Sequence, residues 1–378
     1  MANHDGPLDG LKVLDFTTMM SGPLGTRLFA DMGADVVKVE SPGGDHNRSR
    51  TPIRGGMSRF FAQLNAGKAS VVLDLKDPTD VAIALRLAAH ADVLVENNRP
   101  GVMARLGLGY DVVSAANPGI IYCSISGYGQ VGASAQSAAY APNIHAAAGF
   151  DLANLAYQDR KEKPANTAIF VADVLGAVYA CAAIEAALLR RAKTGRGDFI
   201  DVAMFDAILN LLVYEVQIAQ SGEEPKRSIY MPMPTADGFV SVAPVNQKQF
   251  GALMLIIDRP EWVTDERWAT VEARESNWGA LMDAVASWTC QRSTTECLDL
   301  FAEGGVASAC YRTPAEAITD PHIVARGVLA ARCDEGGPYA LINPPFQFAE
   351  ADVRARGEAP GLGADRASVL SRWLGDES

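Results

Sequence analysis

The sequence predicts an α/β protein, with a Rossmann-like open parallel sheet in a large domain and a smaller α+β domain after it. Three observations carry this. Over the first 130 residues, short β-branched runs alternate with stretches of helical apolar spacing, the pattern of parallel strands joined by crossover helices. At 378 residues and 48% hydrophobic content, the chain is long enough to bury two cores. After a polar stretch, "SGEEPKRS", the pattern changes to a hairpin followed by helices.

The strand signals are "LKVLDFT", "ADVVKVE", "ASVVLDL", "ADVLVEN" and "GIIYCSIS", near-continuous apolar runs of the kind parallel strands covered on both faces show. Between them, "GPLGTRLFADMG", "DPTDVAIALRLAAHA" and "GVMARLGLGYDVVSAAN" have helical spacing. Ser21 before Gly22-Pro23, and Asp77 before Pro78, mark helix starts. From Phe150 to Ser221 the chain is strongly helical. A break at "KTGRGDFID", where Gly195 and Gly197 end one helix, precedes a second at "VAMFDAILNLLVYEVQIAQ". "IYMPMPTADGFVSVAPVN" reads as a hairpin turning at Ala236-Asp237-Gly238. Helices are expected at "QKQFGALMLII", "NWGALMDAVASWTC" and "TTECLDLFAEGG". The tail from Ala325 carries Gly and Pro clusters, an apolar patch at "YALINPPFQF" and a short final helix. The expected division is 1–200 for the large domain, 201–225 for a helix and linker, 226–320 for the small domain, and 321–378 for a tail that returns to complete the large one.

Composition excludes several classes. With 33 Lys+Arg against 45 Asp+Glu, a formal charge of −12, the chain lacks the basic balance of a nucleic-acid or anionic-membrane binder. The opening "MANHDGPLDGLK" has no basic and apolar leader pattern, and no uninterrupted apolar run reaches membrane-spanning length. A cytoplasmic protein without nucleic-acid or membrane partners is expected. The six cysteines form no CxxC pair and stand apart from the five histidines, so no zinc site is expected, and the thiols read as buried or partly buried.

Three motifs stand out. In "TAIFVADVLGAVYACAAIEAALL", Asp173 sits at the junction of two apolar runs. It reads either as the N-cap of a helix over roughly Val174 to Arg191, or as a nucleophile or base at a helix N-terminus. "GYGQVG", Gly127 to Gly132, matches G-x-G-x-x-G after a strand, but Pro142 breaks any long helix in the segment downstream. A dinucleotide fingerprint, a flexible turn and a glycine loop closing over a substrate are the competing readings. In "SPGGDHNRSR", Arg48 and Arg50 come after the second strand, as a solvated loop or as a phosphate contact.

Taken in order, "LKVLDFTTMMSGPLGTRLFADMGADVVKVESPGGD", "NAGKASVVLDLKDP", "ADVLVENNRPGVMARLGLGYD", "NPGIIYCSISGYGQVG", "VADVLGAVYACAAIEAALLRRAKTGRGDFIDVAMFDA" and "TADGFVSV" closely resemble the class III CoA-transferases and their racemase and carnitine-dehydratase-like relatives. The resemblance covers nearly the whole chain. It implies that Asp173 is the nucleophile: it attacks an acyl-CoA thioester to give a mixed anhydride, becomes an aspartyl-CoA thioester, and passes CoA to an acceptor carboxylate. A helix N-terminus would depress its pKa. Gly127, Gly129 and Gly132 resemble the family's loop beside this site, bringing backbone N–H groups to the acyl oxygen. Leu73, Lys76, Asn97 and Arg105 fall where relatives contact CoA, with Lys76 and Arg105 suited to its phosphates; Arg48, from its place after the second strand alone, is a further candidate phosphate contact. The resemblance implies an acyl-CoA and a small carboxylic acid as reaction partners, no tightly bound cofactor, no metal, and an interlocked homodimer in which each chain passes through the other's ring.

Departures from the family pattern bear on substrate choice. Met20 replaces a Gln, Ala138 a Lys, Asn98 an aromatic residue and Ala141 an acidic one. Racemase-type relatives have His at the position of Tyr140, so Tyr140 favours transfer, since a phenol is a poor proton shuttle at neutral pH. His145 is offset five residues from it and points elsewhere on a helix. An acyl-CoA racemase or isomerase, and a silent subunit paired with an active paralogue, are the alternatives.

Overall fold

Val13 and Leu14 are adjacent and inaccessible to solvent, yet belong to different hydrophobic cores, because successive residues of a strand point to opposite faces. The same alternation runs through the whole central sheet and makes it a layer covered on both sides. The computed structural model describes residues 5–158, 163–165, 167–222 and 230–375. Its main strands are Lys12–Asp15 (β1), Asp35–Glu40 (β2), Ala69–Val72 (β5), Val93–Glu96 (β6), Ile121–Ser126 (β7) and Asp198–Ala203 (β8), with a separate small ribbon of Ile53–Arg54 (β3) and Met57–Ser58 (β4). The six main strands pair in parallel in the order β5-β2-β1-β6-β7-β8. The order reverses between β1 and β6, and that switch point is where an open α/β sheet leaves a crevice.

The helices of this unit are Ser21–Asp31 (α1), Arg59–Asn65 (α2), Pro78–Ala89 (α3), Val102–Arg105 (α4), Tyr110–Ala116 (α5), Ala141–Ala147 (α6), Phe150–Ala156 (α7), Val171–Thr194 (α8) and Met204–Leu211 (α9), followed by Val213–Ser221 (α10). One face of the sheet packs Val13, Val93 and Ile121 against Phe29 of α1, Ile144 of α6, Ile184 of α8 and Ile208 of α9. The other packs Leu14, Leu94 and Tyr122 against Leu87 of α3, Val113 of α5 and Trp373 of the C-terminal helix Arg366–Leu374. Truncating one of these buried side chains to alanine costs about 2–5 kcal/mol. The tail is tied in by polar contacts too: Trp373 Nε1 donates to Asp35 at 2.7 Å, and the Ser70 N–H donates to Asp365 at 2.8 Å.

By length and composition α8 could cross a membrane, but Gly176, Ala177, Ala180 and Ile184 are buried along one side. The small Gly176, Ala177 and Ala180 let α1 and α8 approach until Cys181 Sγ lies 3.4 Å from the Gly25 carbonyl. Gly195 ends α8 with φ +70°, a left-handed conformation that only glycine adopts freely.

The chain forms two compact units, Met1–Val216 with Val324–Ser378, and Gln217–Ile323. In the second, Phe239–Ala243 pairs antiparallel with both Met233–Pro234 and Ala307–Cys310. Phe250, Leu253, Trp268, Leu281 and Phe301 fill its own core. The tail forms a hairpin, Leu329–Asp334 with Gly337–Ile342.

Several expectations are corrected. The break at "KTGRGDFID" holds, with Gly195 ending α8 and α9 starting at Met204, but the segment between them is the sixth strand of the sheet rather than a connection. Ser21 is the first residue of α1, where a helix start was expected, and Asp77 caps α3, accepting from the Thr79 N–H at 2.8 Å. The helix at 101–117 is two short ones, parted at Gly107, whose φ is +75°. Cys290 and Cys333 are exposed, unlike the buried Cys123, Cys181 and Cys297. Most of the polar stretch at 221–228 lies outside the described residues.

Candidate active site

A cavity of about 220 Å³ opens at the carboxyl ends of β1, β6 and β7, at the switch point of the sheet. Thr18, Met19 and Ser21 reach it from the turn after β1, Asn97 to Pro100 from the segment after β6, and Ser126 and Gly127 from the end of β7. Asp173 and Tyr140 stand on its wall.

Asp173 lies in the first turn of α8, whose N-cap is Phe170. It is therefore not the cap, which corrects the first of the two sequence readings. The backbone N–H of Ser21, the residue that opens α1, lies near its carboxylate and favours its charged form. Two helix N-termini thus meet at one carboxylate. Its pKa is nevertheless raised, not depressed: burial pushes it up to about 6 from 3.8, and the N–H groups of Ser21 and of Asp173 itself offset only part of that.

The turn that supplies Ser21 is fixed from below by buried charges. Lys38 Nζ donates to the Thr17 carbonyl at 2.7 Å and pairs with Asp45 at 3.1 Å. Lys68 Nζ contacts Asp15 at 2.9 Å, the Pro23 carbonyl at 3.0 Å and Thr26 Oγ1 at 2.8 Å. Burial alone would raise the Asp15 pKa, but Lys68 and Lys38, with Thr17 and Thr26, hold it down to about 2. Asn47 donates to the Met19 carbonyl and holds Met19 at φ +66°, a left-handed strain found mostly at functional sites. Asn97 closes the other side, accepting from the Thr18 N–H at 2.9 Å and donating to the Thr18 carbonyl at 2.8 Å.

The glycine loop is anchored. The Gln130 N–H donates to Asp201 at 2.8 Å, its side-chain amide donates to Ser124 at 2.8 Å, and the Gly127 carbonyl accepts from the Phe205 N–H at 2.9 Å. A Cβ on Gly127 would stand 2.3 Å from that of Ala139, so this glycine serves close approach to the segment carrying Tyr140.

Comparisons with known proteins bear on this geometry. The sequence model described as CoA-transferase family III matches residues 8–366. The chain belongs to that family. It is 34% identical to the acetyl-CoA:oxalate CoA-transferase of Acetobacter aceti, over all of this chain and 98% of that protein. It is 32% identical to the human succinyl-CoA:glutarate CoA-transferase, over 98% of this chain and 87% of that protein. Among solved structures, a CaiB/BaiF family protein from Brucella suis superposes with a TM-score of 0.84 at 32% identity, covering 98% of this chain and 100% of that one.

Within this family III enzyme, the structure brings together Asp173, Tyr140, Gly127 and Asn97 at the cavity. Gly129 and Gly132, at φ +81° and +101°, shape the loop but do not line the cavity. Lys76 and Arg105 are exposed, away from the cavity wall. The Leu73 side chain is buried in the core and offers only its backbone. Arg48 is corrected outright. Its guanidinium grips Glu40 at 2.7 and 2.6 Å, donates to the Pro360 carbonyl at 3.0 Å and stacks on Phe61, so it is committed to the fold. Sequence reasoning missed Ser21, whose N–H meets Asp173. It also missed His46 and Arg99, which line the cavity. The strand-to-helix signal at Ser21 was readable as a helix start, but which carboxylate faced it was not.

Proposed function

We propose that this protein moves coenzyme A between an acyl-CoA and a small carboxylic acid through a covalent aspartyl-CoA at Asp173. The observation that carries the reading is a carboxylate with a pKa of about 6 on a cavity wall, facing the N-terminus of a second helix. Such a group is ionised at neutral pH, yet more basic than a solvated carboxylate, and so a better nucleophile.

Asp173 Oδ attacks the thioester carbonyl, and the C–S bond breaks to release CoA thiolate and leave a mixed anhydride. The thiolate then attacks the Asp173 carbonyl carbon and expels the donor carboxylate, leaving aspartyl-CoA. An acceptor carboxylate attacks that thioester, its C–S bond breaks to release CoA thiolate and leave a mixed anhydride of the acceptor with Asp173, and the thiolate then attacks the acceptor acyl carbon and expels the Asp173 carboxylate. Each step exchanges one anion for another, so no proton has to move. What the chemistry needs is stabilisation of developing oxyanions, which the Ser21 N–H and the two helix N-termini can supply. That requirement fits a wall carrying Tyr140 and supports transfer over racemisation, which needs two proton-transfer groups.

The reading includes no tightly bound cofactor and a cytoplasmic homodimer of interlocked chains. An apolar stripe on the outer side of α8, Val178, Tyr179 and Leu189, is exposed in the single chain and supports burial against a second copy. The test is formation of new CoA esters from a panel of mono- and dicarboxylic acids with acetyl-CoA or succinyl-CoA as donor, read by mass spectrometry. The reading predicts a new ester with at least one acid and none in Asp173→Ala. No ester with any acid, or undiminished exchange in Asp173→Ala, would end it.

A further inference from the structure

His145 is wholly buried in α6, outside the cavity that holds Asp173. Its Nε2 lies 3.1 Å from the backbone N–H of Ala172, the residue immediately before Asp173. That amide is one of the first-turn donors a helix leaves unpaired, and Phe170 at the N-cap supplies no side-chain bond. A remote imidazole therefore does what a local Ser, Thr or Asp does elsewhere. Because Nε2 accepts, the ring's proton sits on Nδ1. Nδ1 is buried without a hydrogen-bond partner among the described residues, as is Asp151 Oδ1 on α7. The ring packs on Phe150 with centroids 5.1 Å apart. Burial lowers the His145 pKa, and the Asp151 charge offsets this only in part, which keeps the acceptor nitrogen free.

We propose that His145 is a positioning residue for Asp173: as a neutral imidazole protonated on Nδ1, it caps α8 and fixes the turn from which the nucleophile projects. The inference rests on the transfer reading for its consequence, but the cap itself is measurable without substrate. Nucleophilic attack depends steeply on placement, because a displacement of about 1 Å can cost on the order of a hundredfold in rate. Releasing the Ala172 amide loosens the turn that sets this placement, and neither His145 nor Ala172 lines the cavity.

The experiment has two arms. In the first, ¹⁵N NMR of the wild type at neutral pH should show His145 with Nδ1 protonated and Nε2 bare, and the Ala172 amide should lose hydrogen-exchange protection in His145→Ala. A ring protonated on Nε2, or an Ala172 amide equally protected in the variant, would overturn the proposal whether or not the protein transfers CoA. In the second, His145→Ala should lower kcat about ten- to a hundredfold with KM for acyl-CoA changed less than about threefold. His145→Gln, whose amide oxygen can accept the same bond, should restore kcat to within about threefold. Wild-type kcat in His145→Ala, an effect confined to KM, or a folded His145→Gln as impaired as the alanine variant would each overturn it. Should His145→Ala fail to fold, His145→Gln and the wild-type tautomer decide. A wild type that forms no ester sinks the transfer reading, while the first arm still judges the cap.

Discussion

Asp173 is held in its charged form against the preference of its surroundings. Its pKa is about 6 in the folded chain and 3.8 as an ordinary side chain, so between those values the folded state binds a proton that the unfolded state has released. Stability therefore falls as pH rises through this window; the cost is absent below about pH 4 and fully present above about pH 6. Asp173→Asn should be more stable than wild type at pH 8, by about 1–3 kcal/mol, with the gain vanishing near pH 4. Urea unfolding at the two pH values checks this, and equal stability at pH 8 would count against it. The same titration governs activity: kcat/KM should rise with pH along a limb near 6, as the carboxylate forms. A profile flat from pH 5 to 8 would show that another group is limiting. Racemisation should be absent, and deuterium uptake from D₂O at the α-carbon of a 2-methylacyl-CoA is the measurement; rapid exchange lost in Asp173→Asn would move the protein to the isomerase branch.

At the scale of elements, the site depends on how closely segments approach, and this is where the sequence was least legible. The strands β1, β2, β5, β6 and β7 were readable because both their faces are buried, which makes their apolar runs nearly continuous. β8 is an edge strand whose burial alternates at its start, with Asp198 and Asp201 among its residues, and its charges hid it beside the glycines that precede it. Family resemblance pointed to Asp173, which stands on the cavity wall, while its place in the helix was not legible, because the cap is Phe170, a residue with no capping signal. Arg48 looked available for phosphate because its ion pair with Glu40 joins residues that sequence alone does not set side by side. Gly127→Ala tests the packing logic. The added methyl, 2.3 Å from Ala139 Cβ, must displace the segment bearing Tyr140, at a cost of about 1–3 kcal/mol and with reduced kcat/KM. Unchanged stability and activity would show that the loop has slack the structure does not.

For the whole molecule, each compact unit has its own hydrophobic interior, a core on each face of the sheet in the large unit and one core in the second. A change of pattern after residue 221 set the expected small domain at 226–320, whereas the second compact unit runs from Gln217 to Ile323 and takes in the end of the preceding helix. The large unit also carries a buried ionic centre beneath its site. Replacing Lys68 by Met would remove the ion-pair partner of the buried Asp15 and leave it the Thr17 and Thr26 hydrogen bonds and the Lys38 charge, so a loss of about 3 kcal/mol is expected, and urea unfolding of Lys68→Met measures it. An interlocked dimer should give no folded monomer on dilution, and a reversible folded monomer in analytical ultracentrifugation would speak against it. The claim that joins these scales is that Asp173 becomes covalently bonded during turnover. The most direct measurement is to incubate the protein with a donor acyl-CoA, trap with hydroxylamine, and map the peptides by mass spectrometry. The account predicts a hydroxamate on Asp173 alone, and none without acyl-CoA. Turnover with Asp173 unmodified, or with the label on another residue, would contradict it.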